Sequence, residues 1–135
     1  MVLSVKITRR TPRRAFALYV AVFSCSANPD AQWLMPMRLV TWNINSLRLR
    51  LPRLDDLVAA LAPDIICLQE TKVPDPLFPE EAVRALGFEH LHYKGMKSYN
   101  GVALLSRPPI TPVENLPGWY GKEDCRHVGA VISTP

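Results

Sequence analysis

Two apolar segments joined by a helical pattern constrain the fold of this chain more than any other feature of its sequence. Residues 38–43 and 65–70 are rich in strand-forming side chains, and leucine and valine recur at helical spacing across residues 51–61. Strand, helix and strand within about 33 residues predict a βαβ unit, whose two strands run parallel and are joined by a right-handed crossover. The uninterrupted apolar run at residues 65–68 further predicts a strand buried on both faces. We therefore expect an α/β protein.

The βαβ unit brings two oxygen-bearing side chains to one edge of the predicted sheet. Asn43 ends the first strand and Glu70 ends the second, and the carboxyl ends of parallel strands lie along the same edge. Magnesium is commonly held by one or two carboxylates together with phosphate oxygens of a substrate, so Asn43 and Glu70 are candidate metal-site residues. A structural alternative stays open, in which Asn43 caps a turn and Glu70 pairs with a lysine or an arginine.

Prolines divide the remainder of the chain into short elements. The chain has 13 prolines in 135 residues, which argues against a bundle of long helices. Four further elements are expected, and in chain order they are a proline-rich loop over residues 71–79, a short helix ended by Gly87, an antiparallel pair of strands around a turn containing Asn100 and Gly101, and a last strand over residues 127–134.

Residues 1–36 differ from the rest of the chain and are expected to lie outside the fold. Five basic residues stand there against one acidic residue, and an apolar stretch at residues 15–23 is followed by small side chains. This order is typical of a secretory signal or a transit peptide, and the alternative is an upstream extension ahead of a domain that begins at Met37. Residues 37–135 hold eleven basic and eleven acidic residues. The net positive charge therefore says nothing about the partner of the folded part.

Cysteine usage and hydropathy indicate the environment of the chain. The three cysteines, Cys25, Cys67 and Cys125, are widely spaced and suggest neither a disulfide framework nor a zinc site. No apolar run approaches the ~20 residues that a membrane-spanning helix needs. We therefore expect a cytoplasmic protein with no membrane partner.

Three sequence strings resemble the exodeoxyribonuclease III family of the endonuclease/exonuclease/phosphatase superfamily. Residues 41–48 read Thr-Trp-Asn-Ile-Asn-Ser-Leu-Arg, and residues 63–72 read Pro-Asp-Ile-Ile-Cys-Leu-Gln-Glu-Thr-Lys. Residues 99–106, Tyr-Asn-Gly-Val-Ala-Leu-Leu-Ser, look like the third signature of that family. The resemblance implies an α/β sandwich of two sheets, of which residues 37–135 are expected to supply the N-terminal half, truncated before the second sheet.

The resemblance also implies the roles of the site residues. Glu70 would ligate a catalytic magnesium ion, with manganese as an alternative, Asn43 would lie in the same metal and phosphate site, and Lys72 would stand close by. Members of the family cleave DNA 5′ to abasic sites and remove nucleotides from the 3′ ends of duplex DNA. The tyrosine, aspartate, asparagine and histidine that complete catalysis in the family lie beyond the end of this chain. We therefore assign no catalytic residue and expect this piece, a monomer, to be inactive alone.

Basic and aromatic residues elsewhere are candidates for contact with DNA. The candidates with a family counterpart or a turn position are Lys72, Tyr99, Asn100 and Arg126, with Lys97, Trp119, Tyr120 and Lys122 as weaker ones. His90 and His92 alternate on one predicted strand and are expected to be structural rather than metal ligands. Two other functions stay open: a non-catalytic product that keeps only a metal-binding or DNA-binding edge, and a secreted phosphodiesterase relative.

Overall fold

A computed structural model of the chain describes residues 2–6, 18–24, 36–113 and 125–132. The described strands are β1 (Val2–Lys6), β2 (Leu18–Ser24), β3 (Pro36–Asn43), β4 (Ile65–Gln69), β5 (His90–Met96), β6 (Tyr99–Ser106), β7 (Ile110–Pro112) and β8 (His127–Ile132). The described helices are α1 (Leu47–Leu61) and α2 (Glu80–Ala85), with a 3-10 turn at Asp75–Leu77. No helix within these ranges is long and apolar enough to cross a bilayer.

The predicted βαβ unit is confirmed. Strand β3 runs parallel to β4, with Cα partners from Leu39 and Ile65 to Asn43 and Gln69, and α1 connects the two strands. Helix α1 ends at Leu61, and the left-handed backbone of the next residue, Ala62 (φ 43°), stops the helix just before Pro63. A helix between two parallel strands places both carboxyl ends on one edge of the sheet.

The larger sheet has five strands in the order β2-β3-β4-β6-β5, and its helix-side face holds most of the core. On this face the strands contribute Val40, Ile66, Leu68, Ala103 and Leu105, which pack against Leu47 and Leu54 of α1, Val83 of α2 and Phe88. The alternation along β4 therefore sends Ile66 and Leu68 toward the helices and Ile65 and Cys67 toward the opposite face. Because all four side chains are buried, the prediction of two-sided burial is confirmed.

A second sheet covers the opposite face, which corrects the expectation that the chain is truncated before it. Strands β1, β8 and β7 form a three-stranded sheet in the order β1-β8-β7. Its side chains Val128, Ala130 and Ile132 pack against Leu39, Ile65, Cys67, Val102 and Leu104 of the larger sheet. The sequence pattern missed this layer because β7 is only three residues long and a lone apolar strand does not reveal which sheet it joins. The α/β class with two sheets is confirmed.

Two strands from residues 1–36 are hydrogen-bonded into these sheets, in contrast to the expectation that this segment lies outside the fold. Strand β1 pairs antiparallel with β8, and β2 pairs antiparallel with β3 over seven residue pairs. The apolar, partly β-branched stretch that resembles the core of a targeting signal is equally suited to an edge strand. The identity of residues 1–36 as an extension or a targeting signal stays a prediction.

The turn of the hairpin between β5 and β6 lies three residues earlier in the chain than predicted. Met96 pairs with Tyr99, so the two-residue turn consists of Lys97 and Ser98. Asn100 and Gly101 lie within β6 and both have positive φ, 48° and 91°. A Cβ on Gly101 would stand 2.2 Å from Thr71 Oγ1, so glycine is required here by close approach of the loop after β4.

We expect removal of residues 1–24 to lower the stability of the chain. The deletion removes β1 and β2, exposing the backbone edges of β8 and β3 that they pair with. A loss of about 1–2 kcal/mol would lower the melting temperature by roughly 5–15 °C in a domain of this size. Thermal unfolding followed by circular dichroism measures the change. An unaltered melting temperature would show that residues 1–24 contribute nothing to the folded body.

Candidate metal centre

Asn43 and Glu70 meet at the carboxyl edge of the larger sheet, as the sequence predicts. Asn43 is the last residue of β3, and Glu70 follows the last residue of β4. The Asn43 side-chain amide donates a hydrogen bond from Nδ2 to Glu70 Oε1 at 3.0 Å. This bond uses the amide nitrogen of Asn43 and not its amide oxygen. The pair therefore offers oxygen atoms of both a carboxylate and a carboxamide.

Lys72 and Asn45 complete the polar cluster. Lys72 Nζ lies 3.4 Å from Glu70 Oε2 and also donates a hydrogen bond to Asn45 Oδ1. One carboxylate oxygen of Glu70 thus faces an amide and the other faces an ammonium group. The alternative in which Glu70 pairs with a basic residue is therefore realised alongside its pairing with Asn43. Sequence reasoning did not single out Asn45, although its place two residues after Asn43 is a signal that could have done so.

Backbone hydrogen bonds continue beyond the ends of the two strands and hold their loops together. Ile44 N–H donates to Gln69 O at 3.0 Å, Ser46 N–H to Glu70 O at 2.8 Å, and Leu47 N–H to Thr71 O at 2.9 Å. The loop after β4 is tied to β6 as well, because Lys72 N–H donates to Asn100 O at 2.9 Å. These bonds fix the backbone from which all four polar side chains project.

The same loops hold several non-glycine residues in left-handed backbone conformations. The φ angles are 45° at Asn45, 92° at Ser46, 55° at Glu70 and 53° at Lys72. Such conformations cost roughly 1–3 kcal/mol each, persist only where surrounding contacts enforce them, and cluster at functional sites. Here the backbone bonds between the two loops provide that enforcement, and the result is an edge with fixed side-chain directions.

The site sits at the end of the layer between the two sheets. Thr41 and Gln69 lie on the face of Leu39 and Cys67, and Gln69 Nε2 donates to Thr41 Oγ1 at 2.9 Å. Below them, burial raises the pKa of the Cys67 thiol to about 12. Cys67 is therefore a protonated core thiol at neutral pH rather than a thiolate ligand.

Tyr99, at the start of β6, and Arg126, just before β8, are in contact with each other. Tyr99 is 57% exposed to solvent, and the Arg126 guanidinium donates a hydrogen bond from Nη2 to Tyr99 Oη at 3.2 Å. The guanidinium carbon also lies 5.7 Å from the centre of the tyrosine ring, within range of a cation–π contact. The backbone bond from Gly101 N–H to Cys125 O, at 3.1 Å, brings the start of β6 next to the residue that precedes Arg126.

The remaining sequence candidates are placed less favourably or lie outside the described residues. The side chain of Asn100 is buried and its backbone carbonyl accepts from Lys72 N–H, while its contact with DNA stays a prediction. Lys97 is exposed in the hairpin turn, and His90 and His92 are half-buried on β5. Trp119, Tyr120 and Lys122 lie outside the described residues. Within the described ranges no three His, Cys, Asp or Glu side chains gather closely enough to hold a metal ion by themselves.

We expect Asn43→Asp to destabilise the chain in metal-free buffer and to make its stability depend on magnesium. The change removes the donor to Glu70 Oε1 and places a second negative charge next to it, which should cost about 1–2 kcal/mol. Thermal unfolding with and without millimolar magnesium measures both effects.

The matched control is Asn43→Ala, which loses the same hydrogen bond without adding charge. A gain in melting temperature on magnesium addition should be larger for Asn43→Asp than for Asn43→Ala. Equal melting temperatures for both variants, with and without magnesium, would contradict a cation position between residues 43 and 70.

Comparisons with known proteins agree with the resemblance seen in the sequence. The endonuclease/exonuclease/phosphatase family matches residues 40–132, which include the last four residues of β3, all of α1 and β4, and the whole polar cluster. Exodeoxyribonuclease III of Haemophilus influenzae is 42% identical over 71 residues, covering 53% of this chain and 26% of that protein. DNA-(apurinic or apyrimidinic site) endonuclease 2 of Xenopus laevis is 35% identical over 100 residues, covering 70% of this chain and 19% of that protein.

A solved structure shows the same fold. The 3′ phosphatase NExo from Neisseria, bound to a product DNA hairpin, superposes with a TM-score of 0.66 at 39% identity, covering 72% of this chain and 38% of that chain. The chain thus spans about a quarter or less of the length of these two curated relatives and about two fifths of the solved structure.

Proposed function

This chain belongs to the endonuclease/exonuclease/phosphatase family, and we propose that it supplies the metal-binding edge of a magnesium-dependent DNA repair nuclease. The proposed reactions are hydrolysis of DNA 5′ to abasic sites and removal of nucleotides from 3′ ends of duplex DNA. The observation that carries the proposal is the Asn43–Glu70 pair at the carboxyl edge of two parallel strands. Relatives named as exodeoxyribonuclease III and as an abasic-site endonuclease support the choice of substrate.

The donor set of the cluster fits a hard divalent cation. Glu70 offers a half-exposed carboxylate and Asn43 a carboxamide oxygen, and magnesium takes oxygen ligands while keeping several waters or substrate oxygens. When bound, such a cation polarises a phosphoryl oxygen and stabilises the leaving 3′ oxygen. Manganese shares these preferences and is the proposed alternative cofactor.

Each residue of the cluster has a distinct part in the proposed mechanism. Glu70 provides the negative charge, and Asn43 orients its carboxylate through the Nδ2 bond. Lys72 places a positive charge beside the same edge, where a phosphate group of the substrate gains from it. Tyr99 and Arg126 extend the contact surface along the DNA backbone, since a guanidinium fixed against an aromatic ring is well placed to hold a phosphate.

We propose that the acting protein is a monomer in the cytoplasm with duplex DNA as its partner. A DNA substrate accounts for an intracellular location, and the relatives named above act on DNA according to their names. The proposal needs no membrane partner.

A chimera tests this function most sharply. Residues 40–132 of this chain, the span of the family match, would replace the corresponding segment of the Haemophilus influenzae exodeoxyribonuclease III, and the purified protein would be assayed on a duplex with one abasic site. We expect magnesium-dependent cleavage that falls at least about 100-fold on Glu70→Ala and roughly 10-fold on Asn43→Ala, because the first change removes the charged ligand and the second removes a neutral oxygen together with the amide that orients Glu70.

The matched control for the chimera is Glu81→Ala, which removes an exposed carboxylate from α2 and should leave cleavage unchanged. A folded chimera that cleaves equally well with and without the Glu70 side chain would contradict the proposal. Cleavage that needs no divalent cation would contradict it as well.

The 135-residue chain by itself is expected to show no cleavage above a Glu70→Ala control. The described residues gather one carboxylate, two amides and an ammonium group at the site, and the one carboxylate, Glu70, is the proposed metal ligand, which leaves no second base there to activate water. The measurement is the same abasic-site assay with magnesium. Cleavage above the control would show that this chain holds a complete catalytic set.

A further inference from the structure

The Lys72 ammonium group lies against one carboxylate oxygen of Glu70, the residue that is proposed to bind the cation. Of the two carboxylate oxygens, Oε1 accepts the Asn43 amide at 3.0 Å, and Oε2 lies 3.4 Å from Lys72 Nζ. We propose that Lys72 competes with the divalent cation for Glu70 and so raises the cation concentration needed to load the site. This inference rests on the proposed function, because it requires a cation at Glu70.

A cation that binds Glu70 would displace the Lys72 ammonium group rather than the Asn43 amide. Asn43 is a short side chain at the fixed end of β3, whereas lysine has a long flexible stem and a compact charge. The Lys72 side chain is 30% exposed, so its charge can move into water at small cost. A divalent cation on Glu70 would also repel an ammonium group left 3.4 Å from Oε2.

Asn45 can still accept a hydrogen bond from the Lys72 ammonium group after a cation has displaced that group from Glu70. Lys72 Nζ donates to Asn45 Oδ1 while it faces Glu70, so one acceptor remains when the other is taken by the cation. The base of the side chain does not have to move, since Lys72 N–H is fixed on Asn100 O at 2.9 Å. Lys72 therefore has two neighbouring positions for its charge, one on the carboxylate and one on the amide.

The two acceptors predict opposite effects of two substitutions. Lys72→Met keeps the length of the stem and removes the competing charge, so Glu70 should bind a cation more tightly. Asn45→Ala removes the second acceptor and leaves the ammonium group on Glu70, so a cation should bind less tightly. If Lys72 and Asn45 only held the loops together, both substitutions would loosen the loops, and both would weaken cation binding.

The test is a titration of the purified 135-residue chain with Mn²⁺, in which electron paramagnetic resonance measures the free ion. Ion pairs that are partly open to water are weak, so we expect Lys72→Met to lower the dissociation constant by about 3- to 5-fold, and Asn45→Ala to raise it by about 2-fold. Lys94→Met is the matched control, because it removes the same charge from an exposed position on β5 and should change little.

Broadening of backbone amide signals near residues 43–46 and 70–72 by Mn²⁺ shows that the titrated site is the one described. An unchanged or larger dissociation constant for folded Lys72→Met would overturn the inference, as would a Lys94→Met effect of equal size. Glu70→Gln separates this result from failure of the proposed function. If Glu70→Gln leaves Mn²⁺ binding of the chain intact, the metal site is wrong and the inference falls with it. If Glu70→Gln abolishes binding and Lys72→Met does not tighten it, only the inference is wrong.

Discussion

The parallel pairing of β3 with β4 is the constraint on which the rest of the structure depends. Its register sets Asn43 opposite Gln69, and the chain then delivers Glu70 to the Asn43 side chain. A slip of one residue would turn Ile66 and Leu68 away from the helices, because side chains alternate between the faces of a strand. Both faces of β4 are buried under other elements, so the core that stabilises the fold also fixes the geometry of the candidate site.

Beyond the strand ends the chain is held in conformations that its residues do not favour by themselves. Asn45 and Lys72 both have positive φ, and their side chains meet through a hydrogen bond. The loops keep this arrangement because their backbones are hydrogen-bonded to each other and to β6. Gly101 of β6 has no Cβ, which makes room for Thr71 of the loop after β4. The apolar core thus stabilises a polar edge in which a carboxylate, two amides and an ammonium group lie within hydrogen-bonding reach.

The sequence predicted those parts of the fold that depend on local periodicity. The strand ending in Asn43, the helix after it and the buried strand before Glu70 all follow from residue spacing, and the convergence of the two side chains follows from parallel pairing. The second sheet was missed, because its contacts join residues far apart in the chain and β7 is too short to give a pattern. The turn was misplaced at Asn100 and Gly101. An Asn-Gly pair with positive φ is typical of a turn, but here the glycine lets Thr71 approach the backbone of β6 closely. Asn45 acquires its place only through contact with Lys72, which no spacing encodes.

Anomalous diffraction from crystals soaked in Mn²⁺ tests most directly whether the edge formed by Asn43 and Glu70 binds a divalent cation. We expect an anomalous peak about 2.1 Å from a Glu70 carboxylate oxygen, with the Asn43 amide oxygen facing the same ion and the Lys72 ammonium group moved away from Oε2. A peak bound elsewhere on the chain, with the Asn43, Glu70 and Lys72 side chains unchanged, would contradict it.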